Sequence, residues 1–250
     1  MKVLPTLDAH IHLAHWRPTS ELALAGAALA MTLSLDEASQ AIGRNDPLVL
    51  WCVGCHPTDV GAQGRFELAE FRRLVEATAV VGEVGLDKKS EVPFERQLQV
   101  FRDVLEVVAD GPRIVSIHSN HATAEVLEEL QKKRIAAPVL HWWSGSDSRT
   151  KAAVELGCCF SLNSRIAGYS RFSTLVPTDR ILFETDQGYD EPPAAIPGRI
   201  EEAERILAHK RGGEPLALRR AGWANLRKAV ERTNTRRLLP EPLQELLQQE

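Results

Sequence analysis

Five apolar, strand-like runs in this chain of 250 residues each carry, or end in, a residue that can bind a metal ion. The first run, residues 3–7, leads into Asp8-Ala9-His10-Ile11-His12. Residues two apart in an extended strand point to the same side, so His10 and His12 aim two imidazoles at one point. Such a pair either binds a metal or packs and hydrogen-bonds in a core, and the pair alone does not decide between the two.

Four later segments repeat the arrangement. Residues 80–87 place Glu83 between glycines in an apolar strand, where a bare carboxylate is costly unless it pairs with or binds a cation. Further apolar runs end at His118, His141 and Asp186. Each of these alone is explained by a core histidine or a helix N-cap. Five strand-end positions together indicate a metal centre, with the histidine and carboxylate ligands typical of zinc, manganese, iron or nickel.

The hydrophobic pattern predicts eight β-strands separated by amphipathic helices. The strands are centred near residues 5–12, 27–34, 48–56, 79–86, 113–118, 138–143, 158–163 and 180–185. The clearest helices are expected at 66–78, 93–110 and 122–134. Alternating strands and helices favour a parallel sheet, and eight strands with ligands at their C-terminal ends predict an α/β fold of the (β/α)8 TIM-barrel type.

The length of 250 residues suits one barrel, so residues 1–250 are expected to form a single domain. The Ala-rich run at 27–33 is also compatible with a helix. Pro192-Pro193 and Gly212-Gly213 are expected in loops before C-terminal helices, and the tail from Pro240 as a docked or frayed helix.

These segments resemble the TatD family of metal-dependent deoxyribonucleases, a branch of the amidohydrolase-like TIM barrels. The matching stretches occur in family order at residues 7–13, 54–57, 82–87, 117–119, 141–146 and 184–186. Residues 223–227 look like the family's C-terminal helix. The similarity covers nearly the whole chain.

The resemblance implies two divalent metal ions, zinc, manganese or magnesium. It assigns His10, His12, Glu83 and Asp186 to one metal, and Glu83, His118 and His141 to the second, so that Glu83 bridges them. Because the bridging position already holds a carboxylate, no carbamylated lysine is needed. Glu83 and Asp186 are the expected catalytic residues, with Asp186 accepting the proton of the attacking water.

A narrower resemblance links residues 115–119, 139–146 and 156–161 to the TatD-like nuclease of the four-component Qat anti-phage defence cassette. It implies a role in antiviral defence together with partner proteins of such a cassette.

The chain departs from the family pattern in three loops. Asn120 and His121 stand where relatives usually carry Arg and Asp, and an Arg there is a natural phosphate ligand. Either His121 substitutes for it, or this strand end is only structural. Lys88-Lys89 replaces an aromatic or polar residue before the substrate loop and could contact a phosphate backbone. Gln187-Gly188 replaces a small residue and Pro, which loosens that loop.

The predicted function is hydrolysis of phosphodiester bonds, most simply as a DNase of exonuclease type acting on single-stranded DNA or 3′ ends. The alternatives are an amide, ester or lactone hydrolase on the same scaffold, or a conditionally active subunit of a defence complex.

His56 is a candidate substrate contact or, alternatively, a capped loop histidine. The other candidates are aromatic residues for stacking and cations for phosphate: Trp142, Trp143, Trp16, Tyr189, Lys88, His121, Arg17, Arg165 and Arg171. One of Trp142 and Trp143 is expected to pack in the barrel instead.

Composition adds few constraints. The net charge of −4, from 30 basic and 34 acidic residues, neither favours nor excludes nucleic acid. Cys52 and Cys55 have CxxC spacing but lie in an apolar run without a second CxxC, so buried thiols are favoured over a zinc or redox site. Because no signal peptide precedes the first strand and no apolar run reaches the roughly 18 residues of a membrane span, a cytoplasmic protein is expected.

Overall fold

The computed structural model describes residues 4–22, 26–189, 196 and 198–249. Parallel strands form at each of the eight predicted positions. They are β1 Leu7–His12, β2 Ala27–Met31, β3 Val49–Trp51, β4 Val80–Gly85, β5 Ile114–His118, β6 Ala137–His141, β7 Cys159–Leu162 and β8 Ile181–Phe183.

Helices alternate with the strands. They are α1 Thr19–Leu22, α2 Leu35–Ala41, α3 Val60–Arg65, α4 Leu68–Val75, α5 Phe94–Asp110, α6 Thr123–Lys132, α7 Asp147–Glu155, α8 Ser170–Thr174, α9 Glu201–Arg211, α10 Pro215–Thr233 and α11 Glu241–Leu246. The three helices expected from the apolar periodicity are confirmed as α4, α5 and α6. Each buries the face that the pattern indicates, such as Phe71 and Leu74 of α4.

The strands form a barrel in sequence order. Hydrogen bonds between neighbours form one parallel sheet in the order β1-β2-β3 and a second in the order β4-β5-β6-β7-β8. At the first seam, Val53 pairs with Val81, and the Gly82 amide donates to the Val53 carbonyl over 2.9 Å. At the second, the Asp186 amide donates to the His10 carbonyl over 3.0 Å. These contacts connect the two sheets at both seams, in agreement with the predicted TIM barrel.

The Ala-rich run forms strand β2, not a helix. All five residues of β2 are buried, and β2 pairs with β1 on one side and β3 on the other. A strand covered on both faces accepts small apolar residues, so its neighbours override the helical propensity of alanine.

The C-terminal segment packs against the barrel. The Trp223 indole of α10 donates to the Pro5 carbonyl over 2.9 Å, and Leu243 of α11 is buried. The tail from Pro240 is therefore docked. Gly212 ends α9 in the left-handed conformation, in the expected loop, whereas Pro192-Pro193 lies outside the described residues. In the part of the chain that is described, no helix has the length and apolar character of a membrane span.

Candidate metal centre

The predicted ligands converge at the C-terminal mouth of the barrel. His10 and His12 come from β1 and Glu83 from β4, while His118 and His141 are the last residues of β5 and β6. Asp186 follows β8 in a left-handed turn, with φ of 52°. In a parallel barrel the C-terminal ends of all strands lie on one rim, so residues distant in sequence meet there. This is why the ligands could be predicted from their positions at strand ends.

The first donor group consists of His10, His12, Glu83 and Asp186. The Nε2 atoms of the two histidines lie 3.3 Å apart, and they lie 3.1 and 3.2 Å from Glu83 Oε2. Both Nε2 atoms are 3.6 Å from Asp186 Oδ1. Donors held about 2.1 Å from a tetrahedral cation are separated by about 3.4 Å, so these four atoms fit one metal ion.

The second donor group uses the other oxygen of the same carboxylate. Glu83 Oε1 lies 2.6 Å from His118 Nδ1 and 2.7 Å from His141 Nε2, and these two nitrogens are 3.2 Å apart. Oε2 of Glu83 therefore faces His10 and His12, whereas Oε1 faces a different set of imidazoles that includes His118 and His141. This arrangement fits a carboxylate that bridges two cations.

Charge complementarity keeps the carboxylates ionised. Burial alone would raise the pKa of Glu83, but the surrounding histidines, His56 and His141 foremost, hold it well below its usual range. Burial likewise opposes ionisation of Asp186, and its hydrogen bond to His12 lowers its pKa. Burial would lower the pKa of His12, yet hydrogen bonds to Asp186 and Glu83 raise it to about 10. Anionic oxygens and imidazole nitrogens form the donor set of a transition-metal or zinc site.

Hydrogen bonds behind the ligands fix their ring orientations. Ser116 Oγ lies 2.8 Å from His10 Nδ1, and Asp87 Oδ2 lies 3.0 Å from His118 Nε2, so the opposite nitrogen of each ring faces the centre. The pKa of Asp87 falls to about 2, because hydrogen bonds to His118 and the Lys89 amide outweigh its desolvation. Such outer contacts tune ligand basicity and geometry. The sequence pattern did not identify these roles, although Asp87 lies in the 82–87 stretch that resembles the family.

Buried Asp8 connects β1 to the loop after β8. Its carboxylate accepts from the Thr185 amide over 2.9 Å and from the Thr185 hydroxyl over 2.7 Å. Burial raises the pKa of Asp8 to about 7 despite these bonds. The contact holds Asp186, the next residue, beside the two histidines of β1.

A second imidazole system reaches the same centre from the loop after β3. His56 Nε2 is 3.2 Å from Glu83 Oε1, and burial lowers the pKa of His56. The Thr58 amide and hydroxyl lie 3.2 and 2.8 Å from His56 Nδ1, and the Tyr189 hydroxyl lies 2.7 Å from the Thr58 hydroxyl. Thr58 had not been identified from the sequence, since it has no ligand signature.

The centre opens into a cavity of about 540 Å³. Besides the ligands, its wall includes His56, Thr58, Asn120, Trp142, Arg165 and Tyr189. Trp142 and Tyr189 are therefore placed at the mouth, as expected. Trp143 is the tryptophan that packs in the core, where its indole donates to Thr150 over 2.9 Å.

Several candidate substrate contacts do not line this cavity. The Lys88 ammonium pairs with Glu125, and His121 is exposed in a left-handed turn with φ of 52°. Among the described residues of the wall, neither is present. Substitution of the missing Arg by His121 therefore finds no support in this cavity and stays a prediction. Trp16, Arg17 and Arg171 are also outside the wall. Arg17 pairs with Glu21, and Arg171 donates to the Gly145 carbonyl.

Comparisons with known proteins agree with this geometry. The family model of the TatD-related DNases matches residues 7–231. The chain is 28% identical over 211 residues to the 3′-5′ ssDNA/RNA exonuclease TatD of Erwinia billingiae, covering 76% of this chain and 81% of that protein. It is 27% identical over 175 residues to the uncharacterized metal-dependent hydrolase YcfH of Escherichia coli K12, covering 64% and 62%.

Solved structures show the same fold. The TatD homolog YjjV of Escherichia coli K12 superposes with a TM-score of 0.76 at 20% identity, covering 91% of this chain and 98% of that chain. A TatD-family hydrolase of Entamoeba histolytica gives a TM-score of 0.73 at 14% identity, covering 90% and 98%. Because the family model spans the barrel strands and every ligand position, the chain belongs to the family of TatD-related DNases.

Proposed function

We propose that this chain is a metal-dependent phosphodiesterase that removes nucleotides from the 3′ end of single-stranded DNA, using two divalent cations. The observation that carries this proposal is the Glu83 carboxylate, whose two oxygens face separate donor groups at the floor of an open cavity. Two-cation sites of this kind suit displacement at phosphorus. The name of the Erwinia billingiae relative supports the choice of substrate and direction.

When bound, the cations supply charge neutralisation and lower the pKa of water to near neutrality. Asp186 is placed to accept the proton of the attacking water. Its side chain is 13% exposed, whereas Glu83 and His10 are fully buried, so it is a ligand that also reaches the cavity. Its lowered pKa keeps it ionised and able to act as a base.

His56 is placed to hold the phosphate. The Thr58 backbone N–H donates to Nδ1, which must therefore be an acceptor, and a neutral imidazole then carries its proton on Nε2. The lowered pKa of His56 favours this neutral form. Nε2–H thus points a hydrogen-bond donor at the centre, where it can bind a non-bridging phosphate oxygen as charge develops.

The test is hydrolysis of 5′-labelled single-stranded oligonucleotides by the purified full chain with magnesium, manganese or zinc. We expect a ladder of products shortened from the 3′ end. Glu83→Ala and Asp186→Ala should each lower the rate roughly 100- to 10,000-fold, the usual contribution of a positioned acid or base. Glu83→Gln, which keeps the shape but not the charge, should lose metal in elemental analysis.

The second candidate is hydrolysis of an amide, ester or lactone, because the same ligand set polarises a carbonyl. It is favoured if the chain contains stoichiometric metal yet cleaves neither DNA nor RNA with any of the three ions. Cleavage that survives in both alanine variants would instead exclude this centre as the active site.

The finer predictions from sequence concern cellular context. A role in anti-phage defence with partner proteins rests on residues 115–119, 139–146 and 156–161, and the cytoplasmic location on the hydropathy pattern. Affinity purification of the chain expressed with its neighbouring genes, together with phage plaque counts on the same cells, tests the defence role. Recovery of a stoichiometric partner and reduced phage plaque counts would support the defence role, and a chain that purifies alone without protection would contradict it.

A further inference from the structure

Arg165 and Trp142 form a pair on the cavity wall. The Arg165 guanidinium lies over the Trp142 ring, 5.5 Å from its centroid, and both side chains line the cavity that contains the metal centre. Arg165 follows β7 and Trp142 follows β6, so neighbouring strand ends bring them together. An arginine on an indole face is attracted by the ring quadrupole and keeps its N–H groups free for another partner.

A buried network holds both residues in place. The Trp142 amide donates to Glu184 Oε1 over 2.9 Å, and Asn163 Nδ2 donates to the same oxygen over 3.4 Å. Asn163 Oδ1 in turn accepts from the Arg165 amide over 3.1 Å. One carboxylate thus positions the backbones of both members of the pair. Such preorganisation lowers the entropic cost of binding.

Among the described residues, the Arg165 guanidinium contacts the Trp142 ring but forms no ion pair. Arg165 is the only lysine or arginine among the described residues of the cavity wall, and apart from the Trp142 ring its side chain has no hydrogen-bond or ion-pair partner among the described residues. Asn120, at the position where the resembled family carries Arg, gives its amide to Asp87 over 3.1 and 3.3 Å. The positively charged side chain at the cavity mouth is therefore Arg165 after β7, whereas the resembled family carries an arginine after β5.

We propose that Arg165 and Trp142 form the subsite for the nucleotide that flanks the scissile phosphodiester. The guanidinium binds the phosphate of that nucleotide, and the indole stacks on its base. This inference rests on the proposed function and specifies its substrate as a strand with an unpaired base beside the cleaved bond. Arginine binds phosphate through two parallel hydrogen bonds, and aromatic stacking accepts any unpaired base.

The test compares a single-stranded oligonucleotide with bis(p-nitrophenyl) phosphate, a diester that has no flanking nucleotide. Arg165→Gln should raise KM for the oligonucleotide roughly 10- to 100-fold, the value of a charge-assisted hydrogen bond, while kcat stays within about 2-fold. The small diester should be cleaved at the wild-type rate. Trp142→Ala should act in the same direction, and Trp142→Phe should restore most of the loss.

Two controls separate charge and position. Arg165→Lys keeps the charge but loses the paired hydrogen bonds, so it should give an intermediate KM. Arg72→Gln removes an exposed arginine of α4 outside the cavity and should leave KM unchanged. The salt dependence of KM should also weaken in Arg165→Gln by about 0.7 in logarithmic slope, as expected for one lost contact to a single strand.

A binding measurement keeps the inference testable if the wild-type chain cleaves no nucleic acid. Fluorescence anisotropy of a labelled oligothymidylate compares Asp186→Ala with Asp186→Ala combined with Arg165→Gln. Weaker binding by the double variant supports the subsite independently of catalysis. Equal binding by the two variants, or no binding by either, overturns the inference. An equal loss of activity on the oligonucleotide and on the small diester in Arg165→Gln also overturns it.

Discussion

At the scale of the residue, His56 shows how neighbouring hydrogen bonds fix which ring nitrogen of a buried imidazole carries the proton. The Tyr189 hydroxyl can donate to the Thr58 hydroxyl, which in turn donates to His56 Nδ1. The backbone N–H of Thr58 donates to the same nitrogen, so the acceptor role of Nδ1 is fixed by a group that cannot reverse. In the proposed mechanism Thr58 is therefore a positioning residue, which acts on phosphate through the Nε2–H of His56.

Removing the Thr58 hydroxyl tests this positioning role. Thr58→Val keeps the shape and loses one hydrogen bond to His56, so we expect kcat for single-stranded DNA to fall roughly 2- to 10-fold. Because the proposed contact of His56 is with the scissile phosphate, cleavage of bis(p-nitrophenyl) phosphate should fall equally. Thr58→Ser restores the hydroxyl and should restore the rate. A rise in KM without a change in kcat would contradict the assignment, and so would a failure of Thr58→Ser to restore the rate.

The residues that sequence could identify are those at strand ends. His10, His12, Glu83, His118 and His141 each lie in or at the end of an apolar run, so a local pattern locates them. Their supporting partners have no such pattern. Ser116 is 106 positions from His10 and meets it only because β1 and β5 face each other across the barrel. A serine within a strand, such as Ser116, has no sequence feature that indicates which histidine ring it will orient.

At the scale of the element, the seam between β3 and β4 depends on a close backbone approach at Gly54. A Cβ atom on Gly54 would lie 2.3 Å from the Glu83 amide nitrogen and 2.4 Å from the Thr32 carbonyl oxygen. Both contacts are to backbone, which cannot move aside as a flexible side chain can. The Glu83 carboxylate is thus positioned by a close backbone approach that only glycine allows at position 54.

Gly54→Ala is therefore expected to destabilise the fold by roughly 3 kcal/mol or more, at the upper end of the cost of overpacking, and to disturb the position of Glu83. Gly64→Ala is the matched control, because Gly64 is an exposed helical glycine of α3 with no atom within 4 Å of its added Cβ. It should stabilise the chain by about 0.5–1 kcal/mol. Urea unfolding measures both, and equal midpoints would contradict the close approach.

Elements were predictable where a periodic pattern and its burial agreed. Helix α5 has its apolar face, including Phe101 and Val104, where the period places it. The Ala-rich β2 was ambiguous, because alanine fits both a helix and a strand that is buried on both faces. Only the pairing of β2 with β1 and β3, which is a property of the sheet, removes that ambiguity.

At the scale of the whole molecule, the ligands come from strands spread around the barrel. Glu83 lies on β4, beside the seam with β3, and Asp186 follows β8, beside the seam with β1. The histidines come from β1, β5 and β6. The number of domains, assigned as one over residues 1–250, stays a prediction. The orientation of loop cations could not be predicted, because the Lys88 side chain is directed by Glu125 on α6, an element remote in sequence.

Because the centre joins distant strands, metal removal should lower the stability of the entire barrel. A cation that binds only the folded state adds about 2.7 kcal/mol at a hundredfold excess over its Kd. For a chain of this size that corresponds to about 5–10 °C in Tm per cation. Thermal unfolding followed by circular dichroism, before and after EDTA treatment and again after adding back metal, measures the difference.

The variants and the pH dependence decide whether this stabilisation arises at the proposed centre. Arg165→Gln keeps all ligands and should show the full metal-dependent shift, whereas Glu83→Gln should show little. Histidine ligands must be deprotonated to bind, so protons compete with the cation and the metal-dependent increment should shrink as pH falls. An increment that persists in Glu83→Gln, or that grows towards acid pH, would place the stabilising metal elsewhere on the chain.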